Sequence, residues 1–286
     1  MELKQLSYFV AVAEEGSITA AARRLYISQP PLSTQMKLLE QELGCQLFER
    51  GRSAIRLTEQ GAILYRHALT LLEISRAARD EVLSSTGEVR GTLRLGVVSS
   101  VVSSHGAEWI ARFVRACPQA RVEVCEANTY ELLEKLRNRA IQLAIVRTPF
   151  RADRVVCRSL LSEPMVAIGP AAMLPEAEVT PQALAALPLI SYRRWESVLK
   201  QYFDEDGLSP VFRCLCDDAR TAVRLAEAGL GVCIAPQSAA TQGSQSLVSR
   251  PLTRPIRSEV VLVSPEDGQL SPAARRFAEL LEEKET

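Results

Sequence analysis

The stretch SITAAARRLYISQPPLSTQMKLLEQELGCQLFERGRSAIRLTEQG, from Ser17 to Gly61, constrains the fold more than any other part of the chain. It reads as two helices joined by a tight connection and followed by a basic hairpin, the layout of a winged helix-turn-helix. Ser17 is placed to cap a first helix through Ala20, Ala21, Ala22 and Leu25, whose small residues let a second helix approach closely. Ser28 is a second N-cap, and Pro30 and Pro31 fall in the following first turn, where a missing N–H costs little. Leu32, Met36, Leu39 and Leu43 recur at i, i+4, i+7 and i+11 and predict the buried face of a helix that stops at Gly44. Gln29, Ser33, Thr34 and Lys37 take the opposite face, with Ser28 and Pro30 at its leading end. This set is the candidate surface for base edges and phosphates of a major groove in double-stranded DNA.

Beyond Gly44, Leu47 and Phe48 read as core anchors, while Arg50, Arg52 and Arg56 surround a Gly-Arg-Ser turn. Such a basic wing suits phosphate or minor-groove contact. Residues 17–66 hold seven Lys/Arg against four Glu, a net of +3, whereas the whole chain balances 34 basic with 34 acidic residues. The positive excess is local and modest, so capping, helix spacing and the wing carry the reading more than charge does.

Residues 1–61, from MELKQLSYFVAVAEEGSITAAARRLYISQPPLSTQMKLLEQELGCQLFER to RLTEQG, resemble the N-terminal domain of LysR-type transcriptional regulators, and weaker similarity continues to the C-terminus. The resemblance implies a DNA-binding domain, a long dimerising helix and a two-lobed effector-binding domain. The chain departs from the family at Thr34, where many members carry a longer, often basic residue.

At 286 residues with 47% hydrophobic content, the chain exceeds what one compact core usually holds, so two or three units are expected. It shows no basic-then-apolar leader and no apolar run of about 18 residues, so a cytoplasmic protein without membrane contact is expected. Residues 58–86 read as one long helix that Thr58 can cap. Its apolar positions Ile63, Leu64, Leu69, Leu72, Ile74, Ala78, Val82 and Leu83 form a surface broader than one stripe. So wide a surface between two domains predicts a helix-helix homodimer, which lets two recognition helices read an inverted repeat. Ser84, Ser85, Thr86 and Gly87 then supply a hinge.

From Gly91 the pattern alternates strands and helices, indicating α/β architecture with parallel sheets. GTLRLGVVSS, Arg121 to Glu126 and IQLAIV read as strands of a first lobe; LPLISY, VFRCLC and GVCIAP read as strands of a second. The chain leaves the first lobe at Arg147, Thr148 and Pro149, and SEVVLVS with the following helix returns to it. The expected division is a winged helix-turn-helix over 1–61, a linker helix and hinge over 62–90, and a periplasmic-binding-protein-like domain over 91–286. Its first lobe takes 91–148 and 265–286, its second 149–264.

Ligands of open α/β sheets bind beyond the carboxyl ends of strands, where helix N-termini offer free N–H groups. Ser99, Ser100 and Thr129 occupy such junctions in the first lobe, and Tyr192 and Asp218 in the second. Arg147, at the exit of IQLAIV, is placed to add a charge-assisted bond to the same anion. By position, Ser100, Thr129 and Arg147 match residues that line the effector cleft in family members sensing small carboxylates, so the resemblance implies a small organic anion as effector. A homodimer, its pairing into a homotetramer, and RNA polymerase are the further partners expected.

Two other classes, an enzyme and a solute-binding protein, fit the sequence less well. G-x-S-x-G, P-loop, G-x-G-x-x-G and H-E-x-x-H patterns are missing, and His67 and His105 are the only histidines, so no catalytic residue, metal or cofactor is expected. A cytoplasmic solute-binding protein would fit the second half but not the first 90 residues. Seven cysteines, including the pair Cys214 and Cys216, raise a redox-responsive alternative. If FRCLC is a strand, both thiols share a face, where a disulfide is strained.

Overall fold

The computed structural model describes residues 1–50, 55–84, 88–240, 246–266 and 269–283. The chain divides into two compact units, Met1–Gly87 with Arg137–Ala140, and Glu88–Leu136 with Ile141–Thr286.

In the first unit, α1 (Leu3–Glu15) precedes the two expected helices. Sequence reading missed it because no Ser, Thr, Asp or Asn punctuates its start; the Glu2 amide donates instead to Gln5 Oε1 at 3.0 Å. The chain then forms α2 (Ile18–Arg24) and α3 (Gln29–Leu43). The Ser17 hydroxyl accepts from the Ala20 amide at 3.4 Å, capping α2 as expected. Ser28 sits at the N-cap of α3 in extended conformation but its side chain makes no capping bond. The amides that it would accept from belong to Pro30 and Pro31, which have none. Leu32, Met36 and Leu39 are buried together with Leu6, Phe9, Ala21 and Ala22. Leu43, expected on that face, is 40% exposed, and Glu40 is buried there instead.

The Glu40 carboxylate crosses to the wing, where Oε1 accepts from the amides of Leu47 at 2.8 Å and Phe48 at 3.4 Å. It therefore ties the recognition helix to β1 (Phe48–Arg50), which pairs antiparallel with β2 (Ile55–Leu57). Glu40→Ala leaves two amides without this acceptor, and melting curves should show the first unit about 1–3 kcal/mol less stable. Glu40→Gln keeps an acceptor oxygen and should recover most of that loss. Equal losses in both variants would show that the bond matters little.

The wing turn 51–54, with Arg52, and the hinge residues 85–87 lie outside the described residues. α4 (Glu59–Ser84) starts as expected, with the Thr58 hydroxyl accepting from the Gly61 amide at 2.9 Å. Its broad apolar surface resolves into two stripes. Ala68 and Leu72, with Leu64 and Leu69, pack into the core of the first unit. Ile63, Leu71, Ile74 and Val82 stand 45%, 40%, 46% and 72% exposed. Ile63 and Ile74, like Leu71 and Val82, are eleven residues apart and so recur after three turns.

The second unit contains β3 (Gly91–Val97), α5 (Ser99–Val101), α6 (Ala107–Ala116), β4 (Ala120–Glu126), α7 (Thr129–Arg137), β5 (Leu143–Arg147) and β6 (Val155–Pro170). It continues through α8 (Pro181–Ala185), β7 (Leu189–Tyr192), α9 (Glu196–Asp204), β8 (Phe212–Cys216), α10 (Ala219–Glu227) and β9 (Val232–Pro236). α11 (Gln237–Ala240), β10 (Leu247–Pro251), β11 (Arg257–Pro265) and α12 (Pro272–Glu282) complete it. The strands run β4-β3-β5-β11-β6-β9-β7-β8, with β10 on the other side of β6. The strands β3, β4 and β5 pair in parallel, as do β7, β8 and β9, whereas β6, β10 and β11 pair antiparallel.

Two apolar cores result. One gathers Leu93, Leu95, Phe113, Leu132, Ile145, Val263 and Phe277; the other gathers Ile168, Leu189, Ile190, Trp195, Phe203, Val223 and Ile234. The long strand β6 serves both, pairing through Val155 to Pro164 with β11 and through Met165 to Ile168 with β9. SEVVLVS does return to the first lobe, where Val260 to Val263 face Arg147 to Ala144 of β5. The crossing therefore precedes Val260 and does not wait for residue 265, because an apolar strand needs the sheet as much as the following helix does.

Candidate functional site

On the first unit, Ser28, Gln29, Pro30, Thr34 and Lys37 are exposed and Ser33 is half-buried along α3. Thr34 donates its hydroxyl to the Pro30 carbonyl at 3.0 Å, so its one donor is engaged within the helix. Arg56 is exposed on β2, and Arg50 closes β1.

On the second unit, six expected residues converge from strand ends of the two lobes. Ser99 and Ser100 open α5 after β3, Thr129 opens α7 after β4, and Arg147 ends β5. Tyr192 ends β7, and Asp218 caps α10 by accepting from the Arg220 amide at 2.8 Å. All but Asp218 are buried.

These groups bind one another across the cleft. Ser99 Oγ donates to the Asp218 carboxylate. Thr129 Oγ1 accepts from Arg194 Nη1 at 2.6 Å. Arg220 reaches back to Glu126 at 2.6 Å. Arg147, fully buried, donates from Nε to Ser100 Oγ at 3.1 Å and from Nη2 to Ser238 Oγ at 3.0 Å, while Nη1 stands 2.5 Å from Glu163 Oε1. Glu163 is further held by the Ser238 amide at 2.7 Å. Read from sequence as a direct anion donor, Arg147 instead has its charge matched by a carboxylate from β6.

The uncompensated charge is Arg194, which sequence reading had placed only as the start of a helix. It is half-buried, with no carboxylate in ion-pair range among the described residues. Its guanidinium lies over the Tyr192 ring at 5.6 Å, and burial, more than nearby Arg147, lowers its pKa. Burial likewise pushes the Tyr192 phenol up to about 12, keeping it a neutral donor. Around them, Ser191 Oγ, Tyr192 OH, Arg194 Nε and Trp195 Nε1 are buried with no aligned hydrogen bond among the described residues. Glu163, Arg194 and Ser238 escaped sequence reading because each meets the cleft from a part of the chain with no motif; the one available signal was an arginine just past the carboxyl end of LPLISY.

Residues 3–62 match the bacterial regulatory helix-turn-helix protein, lysR family, and residues 86–285 match the LysR substrate binding domain. The chain belongs to the LysR-type transcriptional regulators. This regulator is 32% identical over 244 residues to BsdA of Bacillus subtilis, covering 82% of this chain and 84% of BsdA. It is 31% identical over 251 residues to BenM of Acinetobacter baylyi, covering 83% and 81%. A structure of full-length CbnR complexed with its target DNA matches with a TM-score of 0.72 at 25% identity, covering 99% of both chains. A full-length OxyR variant from Pseudomonas aeruginosa matches with a TM-score of 0.75 at 25% identity, covering 99% of this chain and 94% of that one. The family consists of DNA-binding transcriptional regulators with an effector-binding domain, not enzymes.

Among the described residues of the regulator, no group of three or more His, Cys, Asp or Glu side chains could hold a metal ion, and no helix is long and apolar enough to cross a membrane. Cys214 and Cys216 share the inner face of β8, as the strand reading expects. Cys214 and Cys233 both pair with Ile190, from opposite sides. Two strand spacings, about 10 Å, separate them, beyond the roughly 7 Å that a disulfide spans. Burial also raises the pKa of Cys216, and that of Cys233 to about 12, which disfavours the reactive thiolate.

Proposed function

We propose that this regulator senses a small organic anion held between its two lobes and couples that event to an inverted-repeat operator. The observation that carries the reading is Arg194: a guanidinium over an aromatic ring, hydrogen-bonded to Thr129, without a carboxylate partner among the described residues, its own Nε being one of four buried polar atoms within residues 191–195 that lack an aligned hydrogen bond. A carboxylate between Thr129, Ser99 and Ser100 on one lobe and Arg194 and Tyr192 on the other would meet those demands. Arg147 acts on this reading by fixing Ser100, and Asp218 by fixing Ser99. An effector that replaces the Arg194–Thr129 and Ser99–Asp218 bonds changes what holds the lobes together, which biases the angle between them.

The same reading takes 1–61 as the DNA reader, 62–90 as the dimerising linker and 91–286 as the sensor, in a cytoplasmic protein. The exposed stripe on α4 supports a homodimer, and pairing of dimers places four recognition helices on two sites of one promoter, where RNA polymerase is the further partner.

The test is a thermal-shift screen of small mono- and dicarboxylic acids and their amides on the full-length protein. At least one acid should raise the melting temperature while its amide does not. Thr129→Val should weaken that acid by about 10-fold, the worth of one charge-assisted hydrogen bond, while operator affinity is kept. Amides that stabilise as well as acids, or a Thr129→Val protein that responds normally, would sink the anion reading.

A further inference from the structure

We propose that Tyr26 anchors a DNA phosphate beside the recognition helix, a role that rests on the DNA-binding function of the first unit. Helix α2 ends in a Schellman turn: the Tyr26 amide donates to the Arg23 carbonyl at 3.1 Å and the Ile27 amide to the Ala22 carbonyl at 3.0 Å. Tyr26 is thereby forced to a φ of +54°. At the ends of α1 and α3 in the same unit, the left-handed residue is a glycine, Gly16 at +60° and Gly44 at +68°. A residue with a Cβ in that conformation carries a steric cost that glycine avoids. The cost is not repaid by packing, because Tyr26 is 96% exposed. A strained, fully presented phenol points to a role outside the folded unit.

The neighbouring helix shows what is missing there. A helix N-terminus ordinarily holds a phosphate with the free N–H groups of its first turn. In α3 the second and third positions are Pro30 and Pro31, so of those three only Gln29 offers an N–H. The Ser28 hydroxyl accepts no capping bond and stays available as well. Side chains must therefore supply the donors that the helix lacks. The Tyr26 phenol, two residues ahead of Ser28, is a neutral O–H donor of the kind that bonds phosphate oxygens and fixes register on the duplex without reading sequence.

The experiment uses the full-length protein, a 30-bp duplex selected by the wild type from a randomised pool, and a duplex of unrelated sequence, each titrated across a range of salt. Tyr26→Phe removes only the hydroxyl, and Tyr26→Gly also relieves the strained backbone. Both should bind either duplex about 5- to 10-fold more weakly, as expected for one hydrogen bond to a charged acceptor. Neither should change the salt slope, because a neutral group displaces no counterion, whereas Lys37→Gln should reduce the slope by about 0.9. Tyr26→Gly should melt at or above the wild-type temperature. The proposal fails if Tyr26→Phe binds like the wild type, including the case where only Tyr26→Gly is weak, or if the loss is confined to the selected duplex, which would make the contact a base contact.

Discussion

Arg147→Met is expected to lower the stability of the second unit by about 3–5 kcal/mol, the largest effect of any single substitution in the cleft. Arg147 is fully buried and its partner Glu163 is only 12% exposed in its side chain. Removing the cation leaves the carboxylate inside with the Ser238 amide and hydroxyl as its remaining donors. It also releases Ser100 and Ser238 from the guanidinium that aligns them. The double variant Arg147→Met/Glu163→Gln removes the stranded charge and should recover much of the loss, so the two together separate the cost of an unpaired charge from the cost of lost alignment. Denaturant unfolding of the full-length protein measures both. A loss below about 1 kcal/mol for Arg147→Met would show the ion pair to be dispensable and return Arg147 to the role of direct ligand donor.

Ile74→Glu should convert the protein to monomers and weaken operator binding by at least about 100-fold, since like charges facing each other cost several kcal/mol at an interface. Ile74 lies at 46% exposure on the outward stripe of α4, one turn from Leu71 and three turns from Ile63. Glutamate has good helix propensity, so the helix itself should persist with unchanged circular dichroism. Sedimentation at micromolar concentration, set beside operator titration, is the measurement. A dimeric Ile74→Glu protein would place the subunit contact elsewhere.

The elements that were legible in the sequence are those with punctuation. Ser17, Ser28, Gly44 and Thr58 bracket α2, α3 and the start of α4, and each sits at the terminus that the spacing predicts. α1 lacks such a signal at its start and went unread. At Leu43 the periodicity runs one turn too far, because the helix ends there and Glu40 turns toward the wing. In the cleft, the strand-end rule finds Ser99, Ser100, Thr129, Tyr192 and Asp218, since it depends only on where an apolar run stops. It cannot find Glu163, which lies inside β6, or reveal that Arg147 is matched by it across sixteen residues of chain. Charge pairing in a buried site is settled by tertiary distance, and neither residue carries a local pattern that announces the other.

The shared strand β6 bears on how such a domain can be taken apart. One end of it completes the sheet containing β11 and the other end completes the sheet containing β9 and β10. A recombination point inside β6 would strip both lobes of a hydrogen-bonded neighbour at once, leaving raw edges in two sheets. Grafting one lobe onto a different sensor therefore means carrying β6 whole. The unit that can be inherited or exchanged is the lobe together with its neighbour's spine.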